Sequence, residues 1–511
     1  MSPHILLTLP ILFPILGVAL CGLFWSNKSA QRIISLVASV GLLGSALALT
    51  AAVYDGTVLA TSFGNWDAPF GIVFVADMFA AAMVLITGIM AVAVGVYGLN
   101  GNIEPRENAF YHLLYQGLLL GVTGAFLTGD IFNLYVWFEI MLISSFGMLA
   151  LGGTRAQLDA GVKYVTLNLI ATTFFLITVG FLYGITGTLN MADLARILPT
   201  LENQGLVTTL AVMFLMAFGS KAAVFPLFYW LPAAYHTASA PIVAIFAALL
   251  TKVGVYAIIR TFTLLFDGDA GYTGPIVAAV AIFTMVTGVL GAAAHFDIRR
   301  ILSFHIISQI GYMLFGIAVA TPLAVGGSIL YVIHHIVVKA NLFLIAGAID
   351  RAGGSFHLKK LGGLYASLPL LGVLFLIPAL SLAGLPPLSG FWSKFTVIKA
   401  SLDAGHIVLA AAGLIVGLLT LYSMLKIWNE AFWKAAPEGA AETIRDWQTD
   451  RRTRILMLTP IVSLAAITLA IGLFAEPFVD FSMRAGAQLL DKSAYIDAVF
   501  GRPRQLAEAN P

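Results

Sequence analysis

From residue 4 to residue 475 the sequence is a succession of apolar runs, and this succession leaves few folds open. The runs lie at about 4–24, 31–53, 71–97, 109–127, 131–151, 162–185, 206–231, 239–265, 274–294, 301–321, 325–349, 367–399, 405–433 and 455–475. Most are near the length of roughly 20 residues that a helix needs to cross a bilayer. Only 10% of the residues are charged, against about 25% in a soluble domain. The expected fold is therefore an all-α polytopic membrane protein of about 14 transmembrane helices. The first run has no basic leading segment and is followed by Lys28 and Arg32, so it reads as a helix and not as a cleaved signal.

The basic residues orient the chain. With the N-terminus outside, the inward loops hold Lys28, Arg32, Arg106, Arg155, Arg299, Arg300, Arg351, Lys359, Lys360, Lys434, Arg445, Arg451, Arg452 and Arg454. The outward loops hold only Arg196 and Lys399. Basic residues collect on the cytoplasmic side, so both termini are expected to face out. The tail from Glu476 onward is too rich in charge for a further span. It reads either as an interfacial amphipathic helix gripping a neighbouring subunit or as a solvated end.

The stretch Gly219 to Lys252, GSKAAVFPLFYWLPAAYHTASAPIVAIFAALLTK, carries Lys221 and Lys252 inside bilayer-length runs. An ionisable residue at that depth costs about 2.5–3.5 kcal/mol on insertion scales and is a functional candidate by default. Pro226 and Pro232 remove backbone donors between them and are expected to break the helix. Discontinuous helices near the midplane are where transporters hold their ions. A second break is expected at Pro386 and Pro387, in LAGLPPLSGFWSKF, with Lys394 just after it. Pro226-Leu227 followed by Trp230 echoes Pro387-Leu388 followed by Trp392. The breaks are five runs apart, so their helices cross in opposite senses, as an inverted repeat requires.

Glu139 is the only carboxylate well inside the first six runs, and Lys221 is its natural partner. Burial favours the neutral form of a lysine and a nearby carboxylate favours the charged form. Moving the two together and apart would make Lys221 hold or release a proton; a static ion pair is the alternative. Further along, His334, His335 and Lys339 lie in YVIHHIVVKANLF, with His335 and Lys339 four residues apart on one helical face. His236, His305, Ser308 and Gln309 are additional relay candidates, and His305, Ser308 and Gln309 are spaced to share one face. Histidine suits this role because it titrates near neutral pH. A lone histidine such as His305 could equally be a helix–helix contact. Lys426 and Glu430 read as a surface-facing pair, and Asp77 and Lys163 as boundary residues.

Other chemistry is excluded. The single Cys21 forbids a disulfide, a thiolate iron–sulfur cluster and a cysteine zinc site. No nucleotide-binding glycine loop, nucleophile elbow or carboxylate metal cluster stands out. No cofactor, metal or nucleic-acid partner is expected.

The segments TGDIFNLYVWFE, GSKAAVFPLFYWLP, APIVAIFAALLTKVGVY, DIRRILSFHIISQIGYM and LAGLPPLSGFWSKF occur in this order across roughly residues 70–435. Together they resemble the antiporter-like subunits shared by Mrp-type cation/proton antiporters and respiratory complex I. Length and the Glu139 and His305 segments are most similar to the D-type Mrp subunit. The resemblance implies a hydrated polar axis through Glu139, Lys221, Lys252 and Lys394. It also implies two inverted five-helix repeats, helices 4–8 and 9–13. The chain would then divide into 1–108 (helices 1–3), 109–265, 266–433, and 434–511 (helix 14 and tail). A glutamate at the last axis position marks one complex I pumping subunit, whereas Lys394 stands here.

The expected function is a proton-translocating subunit of a multisubunit sodium/proton antiporter in the bacterial cytoplasmic membrane. Its expected partners are other membrane subunits, the bilayer, protons and, as the second ion, sodium. The first rival is a proton-pumping subunit of a redox complex such as complex I or a membrane-bound hydrogenase. The second is a non-transporting scaffold, which sits badly with seven basic residues in or beside the spans.

Overall fold

The computed structural model describes residues 2–64, 66–99, 110–438 and 440–501, with 440–442 as backbone alone. Arg106 and residues 502–511, used above for orientation and tail, lie outside the described residues. In chain order the elements are α1 (Pro3–Leu23), α2 (Lys28–Val53), β1 (Leu59–Ser62), β2 (Val73–Ala76) and α3 (Met78–Gly98). Then come α4 (Tyr111–Leu127), α5 (Ile131–Ala150), α6 (Arg155–Thr186), the short α7 (Met191–Ile197), α8 (Gln204–Ala222) and α9 (Trp230–Tyr235). The second half holds α10 (Ala240–Leu264), α11 (Ala270–Ala294), α12 (Ile298–Val319), α13 (Pro322–Gly353), α14 (Pro369–Ala383), α15 (Ser389–Asp403) and α16 (Ile407–Trp433). The chain ends with α17 (Ala440–Thr449), α18 (Arg451–Leu473), α19 (Ala475–Leu490) and α20 (Lys492–Phe500).

Among the described residues, 12 helices are long and apolar enough to cross a membrane. α4 and α14 are shorter apolar helices on the expected runs 109–127 and 367–399. One run is corrected at its start. Residues 73–76 are a strand, paired antiparallel with 59–62 in the register Leu59↔Ala76 to Ser62↔Val73. Val-Phe-Val is β-favouring, and Asp77 accepts from Ala80 N–H at 2.8 Å, so the helix starts only at Met78.

The helices α10, α12 and α13 are almost wholly buried and form the centre of the bundle. Helices such as α1, α2, α6 and α11 surround them, each with only about two fifths of its most apolar stretch buried. Both expected breaks are present. α8 ends at Ala222, with Ala223 left-handed at φ 61°, and helix resumes only at Trp230. Pro226 lies in the break, but Pro232 does not. It sits in the first turn of α9, where a missing N–H costs nothing. α14 ends at Ala383, capped by Gly384, Pro386 and Pro387 lie between, and α15 starts at Ser389. Gly384 has φ 94°, and a Cβ there would stand 2.7 Å from Lys394 Cδ, so glycine is needed twice over. A third irregularity is absent from the sequence reading: a wide π turn at Phe246–Leu250, one residue before Thr251 and Lys252.

The tail folds back on its own chain. Gly486 of α19 packs against Gly326 of α13, and Gln488 Oε1 accepts from Met78 N–H at 3.0 Å. Gln488 also donates to Gly56 O at 2.7 Å, and Arg484 to Tyr54 O. Lys492 pairs with Asp267 at 2.6 Å. The charged residues that rule out a further span thus hold an amphipathic strap over the face that bears the N-terminus.

Candidate functional site: a buried series of lysines and histidines

Lys221 stands in the last turn of α8, against the first break. Its Nζ donates to Asn168 O of α6 at 3.3 Å and lies 5.8 Å from the centre of the Phe138 ring of α5. The expected ion pair with Glu139 is not formed. Glu139 is half-buried on an α5 face that also exposes Phe132 and Ile143, and its Oε1 has no partner among the described residues. The neighbouring position, Phe138, is the one turned toward the ammonium. Residues one apart point about 100° apart on a helix, so Phe138 and Glu139 leave α5 in different directions.

Lys252 follows the π turn on α10 and is fully buried. Its Nζ donates to Ala247 O, a carbonyl of that wide turn, and lies 3.2 Å from Thr251 Oγ1. Lys339 of α13 donates to Leu302 O of α12 at 3.2 Å. Lys394 of α15 donates to Ala383 O, the last helical carbonyl before the second break, at 3.0 Å, and lies 4.8 Å from the Tyr312 ring centre. Each of these four buried lysines therefore rests on a backbone carbonyl. Among the described residues none of them forms an ion pair with a carboxylate.

The histidines fill in between. His334 Nδ1 is 2.8 Å from Ser389 Oγ, and its Nε2 has no partner among the described residues. Among the described residues neither ring nitrogen of His335 is hydrogen-bonded, and the ring stacks on Tyr331. His305 Nε2 is 2.6 Å from Ser423 Oγ of α16, and its Nδ1 has no partner among the described residues. Gln309 reaches Thr420 Oγ1 at 3.3 Å and accepts from Tyr331 O–H. The expected shared face holds for His305 and Gln309 only. Ser308 turns to α11 and donates to Met285 O at 3.0 Å, because residues three apart diverge by some 60°.

His236 stands apart from this series. It lies after α9, with Nδ1 at 2.9 Å from Pro232 O and Nε2 at 3.2 Å from Arg300 Nη2. Burial, and then the charge of Arg300, holds its pKa below the usual histidine value. Nearby, a polar cavity of about 360 Å³ is lined by Gln157, Thr237, Ser239, Arg299, Asp350 and Arg351, at the start of α10.

Three polar features escape the sequence reading. Asp77, read as a boundary residue, is buried and bidentate to Arg260 at 2.5 and 2.8 Å, under the rings of Tyr256 and Tyr495. Only the depth of Arg260 in its run signals this. Lys426 does not pair with Glu430. It closes the C-terminus of α11 through Ala293 O and His295 O, both at 2.7 Å, while Glu430 pairs with Lys434 at 3.2 Å. Ser381, Ser389, Thr420 and Ser423 line the series but look like ordinary helix serines and threonines in sequence.

The comparisons with known proteins agree with this architecture. Residues 128–420 match the model of the NADH:quinone oxidoreductase/Mrp antiporter transmembrane family. The chain is 46% identical over 494 residues to the D subunit of the Na(+)/H(+) antiporter of Alkalihalophilus pseudofirmus, covering 97% of this chain and 99% of that one. It is 41% identical to the D subunit of the Bacillus subtilis Na(+)/H(+) antiporter, over 96% of this chain and 98% of that one. A chain of the Mrp complex from Dietzia sp. DQ12-45-1b superposes with a TM-score of 0.89 at 34% identity, over 98% of this chain and 99% of that one. A chain of an archaeal membrane-bound sulfane sulfur reductase superposes at 0.85 with 27% identity, over 97% and 99%. With a family match over more than half its length and relatives aligned nearly end to end, the chain belongs to the NADH:quinone oxidoreductase/Mrp antiporter transmembrane family.

Proposed function

We propose that this chain is the D-type, proton-translocating subunit of a sodium/proton antiporter complex in the bacterial cytoplasmic membrane. The observation that carries this reading is the set of four buried lysines, Lys221, Lys252, Lys339 and Lys394, each resting on a carbonyl and, among the described residues, without an ion-pair partner. An ammonium is costly to bury without a counter-charge, so such groups are placed where a proton is taken up and given away. Fixed ion pairs would hold their protons permanently. Glu139, His334 and His335 complete the path, and His305 and Gln309 border it. The polar cavity at the start of α10 supplies an intake on the inward side. In this reading all fourteen apolar segments cross the membrane, both termini face out, and helices 4–8 (109–265) and 9–13 (266–433) are inverted repeats. Residues 1–108 and 434–511 flank them. Other membrane subunits complete the complex and its sodium path. The likeness to D-type relatives over nearly the whole chain favours this reading over a redox pump.

The test uses the assembled complex in membrane vesicles, driven by a sodium gradient with no electron donor present. Wild type should show sodium-dependent proton flux, and the isolated chain should show almost none. Lys221→Met and Lys394→Ala should lower the flux by about a hundredfold or more, the scale of a lost proton-transfer group, at unchanged amounts of complex. Proton flux that appears only with an electron donor would sink the antiporter reading.

A further inference from the structure

Ser389 is the first residue of α15, and Ser381 lies in the last turn of α14, on the other side of the second break. Their hydroxyls are 2.9 Å apart, and both residues are buried. Ser389 Oγ is also 2.8 Å from Nδ1 of His334, and Ser381 Oγ accepts from Gly390 N–H at 3.1 Å. A buried helical serine ordinarily returns its proton to a carbonyl one turn back. Ser393 and Ser401 on α15 do so, to Ser389 O and Val397 O. Ser381 and Ser389 do not; their hydroxyls are spent on each other and on His334. Gly390 makes the approach possible. A Cβ there would stand 1.8 Å from Ser381 O and 3.0 Å from His334 Cε1. At the far end, Lys394 donates to Ala383 O, two residues after Ser381, so its ammonium and the serine pair flank one turn of α14.

Resting on the antiporter reading above, we propose that the Ser381–Ser389 hydroxyl pair is the proton wire between the Lys394 end of the series and His334. In the resting arrangement Ser381 O–H donates to Ser389 Oγ, and Ser389 O–H donates to Nδ1 of a His334 that carries its proton on Nε2. Both serine hydroxyls then have an acceptor, and among the described residues the proton left without one is that on His334 Nε2. The Lys394 ammonium gives a proton to Ser381 Oγ through a water molecule in the break. Ser381 passes its own proton to Ser389, and Ser389 passes its own to His334 Nδ1. The imidazolium so formed releases the Nε2 proton, the one with no protein partner, to water. One proton enters and one leaves; rotation of the two hydroxyls and return of the ring proton to Nε2 restore the start. The reverse direction uses the same groups.

The test measures sodium-dependent proton flux in vesicles carrying the whole complex. The variants are Ser389→Ala, Ser389→Thr, Ser381→Ala and Lys394→Ala, each with the amount of assembled complex quantified. Ser389→Ala and Ser381→Ala should each lose about tenfold or more of the flux. Ser389→Thr, which keeps the hydroxyl, should retain most of it. Flux in the alanine variants should also slow more in deuterated water than wild type does, a change that a purely packing role would not produce. Near wild-type flux in Ser389→Ala, with Lys394→Ala inactive, overturns the wire and leaves the series intact. Near wild-type flux in Lys394→Ala overturns the reading on which it rests. If Ser389→Ala does not assemble, Ser381→Ala decides, since it ends the wire while leaving Ser389 against His334.

Discussion

At the scale of single residues, the decisive feature is how little charge compensates the buried amines. Lys221 and Glu139 have the sequence signature of an ion pair, yet the ammonium lies against Asn168 O and the Phe138 ring. A static pair would make each single substitution destabilising, because a buried charge would lose its partner. The observed geometry separates stability from transport. Glu139→Gln and Lys221→Met should each leave the complex assembled and stop proton flux. The double substitution should be no worse than either single, since groups acting as one unit are not additive. Flux and complex yield measured for all four forms check this; losses that multiply would point to independent sites.

At the scale of elements, the breaks do more than interrupt helices. Each has a buried lysine beside it, Lys221 in the last turn of α8 and Lys394 just after the second break, and at the second break the lysine takes the end carbonyl of α14, Ala383 O. The second break depends on backbone contact. Gly390→Ala would push a methyl into Ser381 O and His334, and overpacking of this kind costs about 1–3 kcal/mol. The variant should lower both the thermal midpoint of the complex and its flux. Gly180→Ala on α6, where a Cβ meets nothing within 4 Å, should change neither, and a loss there would show that the contact argument is wrong. The break was legible from Pro386-Pro387; the need for glycine at 390 was not, because it arises from α14 and α13 lying against α15.

At the scale of the whole molecule, one face is tied together by residues far apart in sequence. Asp77 from α3, Arg260 from α10 and Tyr495 from α20 meet there, and the strap of α19 and α20 lies over them. Removing one partner of a buried pair costs about 3–5 kcal/mol, whereas removing both together costs much less. Asp77→Asn keeps the side-chain oxygen that caps α3 while deleting the charge. Asp77→Asn and Arg260→Met should therefore each lower the unfolding midpoint of the detergent-purified complex markedly, and the double variant should recover part of the loss. Fully additive losses would mean that the pair contributes through separate contacts.

What the sequence determined by itself follows from solvent. In lipid, length and hydropathy dictate helices, so the runs, the two proline breaks and the depth of Lys221, Lys252, Lys339 and Lys394 could be read directly. Basic-residue bias likewise suggested an orientation. Only the tertiary structure decided which way each polar group points. Whether Lys221 meets Glu139 or a carbonyl, whether Ser308 joins His305, and whether Asp77 is a boundary residue or half of a buried pair depend on the rotation and close approach of neighbouring helices. Sequence spacing within one helix carries no information about that rotation. The π turn before Lys252 belongs to the same class: its carbonyl becomes a lysine's partner only because α10 is packed on every side, where each buried polar atom must find what its neighbours offer.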